Sequence, residues 1–168
     1  MTWFVKAFLK ASLAWLALGV TLGVAMAAHP EWTVYRLAHV HMMLLGFVTM
    51  MIYGVAYQVI PHFVGFRLHR PALAGAHWWI ANVGLLLMSG GFAARVVTPT
   101  TGTVILATGG SMSALGAYLF VYVIWRTIDG PRGLRAASER AARAVERSST
   151  RGDRTLTVVA MQSGTRRG

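Results

Sequence analysis

The sequence of 168 residues contains no cysteine. That excludes disulfides, covalent c-type heme attachment, thiolate-held iron–sulfur clusters and cysteine-ligated copper or zinc. Any metal or heme must rest on His, Met, Tyr, carboxylate or backbone groups. Acidic residues are also scarce, five Asp and Glu against sixteen Lys and Arg. None of the five falls inside an apolar run, so a carboxylate-driven transporter lacks its carrier. No nucleophile–base pair and no phosphate-binding loop is evident, which leaves hydrolase and kinase chemistry without support.

What is present is apolar surface. Hydrophobic residues make up 55% of the chain and charged ones only 12%, about half the charged share of a soluble domain. A soluble core of this size cannot hide so much apolar surface, so lipid is the expected solvent. The net charge of +11 has a local cause. Nine of the sixteen Lys and Arg residues lie between Arg132 and Arg167. This basic tail reads as a topology signal and a contact for anionic membrane lipids, and nucleic acid is not the expected partner.

Four apolar runs reach the length of about 20 residues that a bilayer crossing needs. They extend from about Ala7 to Ala28, Arg36 to Ile60 (stopping at Pro61), Ala76 to Val97, and Gly102 to Ile128. Short connections make consecutive runs antiparallel. The expected fold is therefore all-α, an antiparallel four-helix transmembrane bundle over 1–128, followed by a basic cytoplasmic tail over 129–168. Gly133 to Arg147 reads as a short helix outside the membrane, and Ser148 to Gly168 as disordered. Lys6, Lys10, Arg67, Arg70 and the tail outweigh Arg36 and Arg95 on the other side. The positive-inside rule then places both termini in the cytoplasm, for a multi-pass protein of the inner (cytoplasmic) membrane. Trp3, Trp32, Trp78, Trp79 and Trp125 fall near the interfaces, as an aromatic belt requires. The glycines of the last two runs read as ordinary close packing. A competing reading of the first run is a signal peptide, with Lys6 before it and Ala25-Met26-Ala27 as a cleavage site.

All six histidines lie at or near span ends. His29, His39 and His41 form an outer tier, and His62, His69 and His77 a cytoplasmic one. A polar ring in the membrane region needs a partner. His39 and His41 are two residues apart, which on an α-helix turns them by about 200°. They point to nearly opposite faces and cannot readily share one ion; they can serve two sites, one on each side of the helix. His62 and His69 flank a basic connection and read as headgroup contacts. His77, beside Trp78, is a weaker candidate for a heme-propionate contact or a proton path.

Ala38-His39-Val40-His41-Met42-Met43-Leu44-Leu45-Gly46-Phe47-Val48, running on to Gly54-Val55-Ala56-Tyr57-Gln58-Val59-Ile60-Pro61, resembles the late histidine helix of the heme–copper oxidase catalytic subunit. The likeness is to the C-family oxidases and their short membrane relatives. His77-Trp78-Trp79-Ile80-Ala81-Asn82-Val83-Gly84 resembles the helix that follows. Together the likeness covers roughly residues 36–97. The resemblance implies His39 as proximal ligand of a high-spin heme and His41 as ligand of a low-spin heme; Tyr57, which falls in the matched pattern, His77 and His29 are further candidate cofactor contacts. The departures count equally. There are four spans where the catalytic subunit has about twelve, no His-His dipeptide for a copper site, and no helix to bring a partner histidine. His29 is the only other same-side histidine; Met42 and Met43, a second copy, or a gas such as NO or CO are further sources of an axial ligand. The expectation is a b-type heme-binding membrane protein acting in respiratory electron transport or in NO or O2 binding, as a homo-oligomer or a respiratory-complex subunit. It is not expected to reduce oxygen by itself. Two alternatives stand beside it. One is a copper-handling protein using His29, His39 and His41 with Met26, Met42 and Met43. The other is a structural or assembly subunit that binds nothing.

Overall fold

In lipid no water satisfies the backbone, so an apolar run must bond internally as a helix. A computed structural model describes residues 1–130, 138–143 and 146, and no strand occurs among them. The chain divides into two units, Met1–Ile128 and Asp129–Gly168. The first unit is built on helices α1 (Trp3–Ala28), α2 (Arg36–His41), α3 (Met50–Val64), α4 (Pro71–Val97) and α5 (Pro99–Asp129, which runs one residue past the boundary). A 3-10 turn, Pro30–Tyr35, precedes α2, and a π-helical stretch, Met42–Thr49, joins α2 to α3. These pieces merge into one span, Pro30–Val64, so that four helices are long and apolar enough to cross a membrane. The protein is a multi-pass membrane protein. In the second unit residues 138–143 are helical; the rest of the expected helix over 133–147, apart from 146, and all of 148–168 lie outside the described residues.

The pairings fix direction. Gly19, Trp15 and Phe8 of α1 meet Met43, Gly46 and Gly54 of the second span, a falling series against a rising one. His41 meets Phe92, and Tyr57 meets His77, so the second span and α4 are antiparallel. On α5, Leu106, Ser113 and Gly116 meet Gly91, Gly84 and His77 of α4 in reverse order. The core is a stack of Phe4, Val5, Phe8 and Trp15 from α1, Met50 and Tyr57 from α3, Leu85 and Met88 from α4, and Val123 from α5.

The α4–α5 contact shows why glycine stands where it does. A Cβ on Gly91 would lie 2.5 Å from the Leu106 backbone nitrogen, and one on Gly109 would overlap Met88 backbone. Backbone touches backbone there, the approach that small residues permit in lipid.

Each span begins three to six residues before the expected run, at Trp3, Pro30, Pro71 and Pro99, and the end of the second also differs. The second span runs through Pro61 to Val64. Proline removes one hydrogen bond, to the Tyr57 carbonyl, and strains the preceding turn. So close to the helix end, that loss costs little. The helix stops instead at Gly65, whose φ of 71° is the left-handed geometry of a C-terminal cap.

Candidate functional site

Outer tier first. His39 leaves the second span toward α1. Its Nδ1 lies 2.9 Å from the Gly19 carbonyl oxygen. A carbonyl only accepts, so Nδ1–H donates, and in the neutral ring Nε2 carries the lone pair. Gly23, one turn on, clears room for the ring; a Cβ there would come 3.0 Å from His39 Cε1. His41 leaves the opposite way. Its ring packs 4.9 Å from that of Phe92 on α4, and its Nδ1–H donates to the Leu37 carbonyl at 2.8 Å. The two rings thus lie against different helices, each with one nitrogen tied to backbone and the other left as a donor of electrons. Metal-ligating histidines are held in this manner, since the second nitrogen's hydrogen bond sets tautomer and orientation.

The π-helical stretch begins directly after His41. Such wide turns are frequent at functional sites. Here the stretch is pinned at its far end by Thr49, whose hydroxyl donates to the Leu44 carbonyl at 2.8 Å. In its middle Gly46 lets Trp15 of α1 lie across the backbone, where a Cβ would meet the Trp15 side chain at 2.6 Å. Trp15 in turn donates from Nε1 to Asn82 Oδ1 at 3.1 Å. α1, the π stretch and α4 are thereby fastened just below the two histidines.

His29 stands apart. It follows α1, faces Glu31 at 3.3 Å and stacks on Trp32 with ring centroids 5.5 Å apart. Among the described residues no three His, Asp or Glu side chains gather around a common metal position. The structure therefore does not bring His29, His39 and His41 together as one site.

The other tier is different in kind. His77 is fully buried. Its Nδ1 lies 2.9 Å from the Tyr57 hydroxyl, and its ring sits in a box of Phe8, Tyr53, Tyr57 and Phe120. Fifteen residues of α4 separate His77 from Phe92, the neighbour of His41, a rise of about 22 Å. The tiers are separate. His62 and His69 lie nearer the connection: His62 Nδ1–H donates to the Gln58 carbonyl at 2.8 Å, and the His69 backbone N–H donates to Thr127 Oγ1 at 3.0 Å.

No family model matches this sequence. It is similar to the Cbb3-type cytochrome c oxidase subunit CcoN1 of Stutzerimonas stutzeri, with 24% identity over 155 aligned residues. That alignment takes in 74% of this chain but 33% of the relative. The chain thus spans about a third of the oxidase subunit's length, and the likeness is that of a related membrane protein.

Sequence reasoning named His39, His41, Tyr57 and His77 but not the residues that hold them. Gly19 and Gly23 went unremarked because a glycine's role shows only when the partner helix is in place. Nothing in the sequence separates Phe8 and Phe120 from ordinary apolar positions. The spacing of Tyr53 and Tyr57, one turn apart, was the available signal that both face one site.

Proposed function

We propose that the chain binds b-type heme in a respiratory membrane, through His39 and His41 on opposite faces of its second span. The observation that carries this reading is the pair of Nδ1–H bonds to the Gly19 and Leu37 carbonyls, which leave two Nε2 atoms free on two faces. The donor set fits heme iron: two imidazoles, each oriented by a backbone carbonyl bonded at Nδ1. The Gly23 notch supports the fit, because any side chain there would press on the His39 ring. Bound heme would supply reversible one-electron chemistry and a position for a diatomic gas. The chain's own part is to orient each imidazole, to keep water from it with Phe92 and the π stretch, and to tune ligand strength through the two carbonyls. A heme held by one of these imidazoles would take its other ligand from a second copy of the chain, another subunit of a respiratory complex, or NO or CO; its role would then be electron transfer or gas binding rather than oxygen reduction by this chain alone.

The deciding experiment is a reduced-minus-oxidised spectrum of the purified protein, with and without CO or NO. A Soret band with a gas-induced shift is expected. Its absence after expression with ample heme overturns the reading; copper found by metal analysis in its place would favour the copper alternative.

The Lys and Arg distribution supports placing both termini in the cytoplasm, in the cytoplasmic membrane. The chain has no cysteine, so single cysteines at Thr33 and Arg67 report sidedness cleanly. An impermeant thiol reagent should label Thr33→Cys in intact cells and leave Arg67→Cys untouched.

A further inference from the structure

Two buried polar atoms have no use in the heme reading. His77 Nε2 and Ser113 Oγ are both buried and bond to none of the described residues. A buried polar group left unsatisfied costs about 1–3 kcal/mol. Groups of this kind are ordinarily met by internal water.

Three features surround these atoms. Tyr57 lines a crevice of about 320 Å3 shared with Gln58, His62 and Arg67, and its hydroxyl touches His77 Nδ1. Gly116 of α5 faces the far edge of the ring; a methyl there would lie 3.3 Å from His77 Cδ2 and 3.6 Å from Nε2, so α5 leaves that edge uncovered. A cavity of about 20 Å3 lies nearby, lined by Leu45 and Leu85 beside Thr49, Tyr53, Ala81 and Ser113; His77 itself is not in the lining, but Tyr53 packs on its ring and Ala81 meets the same Gly116 position as the ring does. Ala81 is one turn of α4 from His77, about 6 Å along the helix. The cavity is large enough for one water, and the three hydroxyls of Thr49, Tyr53 and Ser113 offer it partners.

We propose that Tyr57, His77 and a water held at Ser113 form a proton-exchange track from the crevice into the middle of the bundle. A proton arriving at the Tyr57 oxygen is matched by passage of the hydroxyl hydrogen to His77 Nδ1, while the hydrogen on Nε2 leaves to the water. Tyrosine is regenerated, the imidazole is left neutral as its other tautomer, and the proton rests on the water until the reverse transfer returns one to Nε2. Return of the ring to its first tautomer readies the next transfer. The groups packed on the ring are Phe8 from α1, Tyr53 and Tyr57 from α3, and Phe120 and Gly116 from α5. None of them is charged, so the imidazole is the base of the track. Both ends of it are on one side of the His39–His41 tier, and nothing in it requires heme.

Hydrogen exchange tests this directly. The full chain, isotope-labelled at its histidine nitrogens and reconstituted in phosphatidylcholine–phosphatidylglycerol bilayers, is transferred to D2O. His77→Gln assigns the signal by subtraction. The His77 ring N–H should exchange far faster than the α4 backbone amides around it. Gly116→Ala, whose methyl covers Nε2 in near-ordinary contact, should slow that exchange on the order of tenfold, the effect of about one hydrogen bond. Tyr57→Phe should slow it from the other side. A ring as protected as the α4 backbone overturns the proposal, as does a wild-type exchange rate in both variants. The readout involves no heme, so a missing Soret band leaves this test intact.

Discussion

The bundle holds histidines at two depths and treats them oppositely. At the outer tier, His39 and His41 are only partly buried, and each spends one nitrogen on a backbone carbonyl. At the inner tier, His77 is sealed among aromatic rings and bonded to a side chain. A carbonyl partner is fixed by the helix and asks nothing of the second nitrogen, so the outer rings are oriented yet available. A hydroxyl partner can both give and take a proton, so the inner ring is committed to its neighbour and able to exchange with it. The same residue type is thus prepared for two kinds of chemistry by the identity of its hydrogen-bond partner.

The comparison is broken most severely by removing the outer rings. His39→Ala with His41→Ala should abolish the heme spectrum while leaving helical circular dichroism and detergent-solution behaviour intact, because neither ring belongs to the core. Unfolding of that variant would mean the outer tier is structural, and the distinction between tiers would fail. Next comes Phe8→Ala, which empties one wall of the inner box. Phe8 is wholly buried against Tyr53, Tyr57 and His77. The expected loss is about 3 kcal/mol, at the low end for a buried Phe because lipid rather than water receives the unfolded side chain. Thermal or denaturant unfolding in micelles measures it, and any heme spectrum should keep its shape.

A smaller effect probes the inner pair itself. Tyr57→Phe leaves His77 Nδ1 buried with no partner, at a cost of about 2 kcal/mol. Adding His77→Leu removes the stranded nitrogen and should recover much of that loss, since deleting both partners of a buried bond is far cheaper than deleting one. A double variant less stable than either single one would show that the pair is held by packing alone.

How much of this was legible beforehand follows from range. The four spans are a property of local composition, and all four runs form helices. The opposite faces of His39 and His41 follow from helical pitch, and the rings do lie against α1 and α4. The boundary at Pro61 misled, because proline's penalty depends on how many turns remain, and only three residues follow it in α3. The π stretch was invisible, since no composition separates it from ordinary apolar helix, and the Trp15 side chain that lies across it at Gly46 comes from another span. The Tyr57–His77 bond joins residues twenty apart on two helices, and nothing local marks it.

The finest test lies within the outer tier, between two glycines one turn apart on α1. A Cβ at Gly19 would meet Met43 Sδ at 2.6 Å, and one at Gly23 would meet His39 Cε1 at 3.0 Å. The Gly19 contact is nominally tighter, yet its neighbour is the far end of a flexible thioether that can rotate away. The Gly23 contact is looser, but its neighbour is an aromatic ring held in place by the bond from Nδ1 to Gly19. Gly23→Ala must therefore tilt the ring or stretch that bond, whereas Gly19→Ala only displaces a methionine tail. Disturbing the group that orients a ligating histidine typically weakens binding about tenfold or more. Heme titration should accordingly show a loss on the order of tenfold for Gly23→Ala and little for Gly19→Ala. The reverse order would mean that Met43, not His39, faces the bound group, and would move the ligand from the imidazole to the thioether.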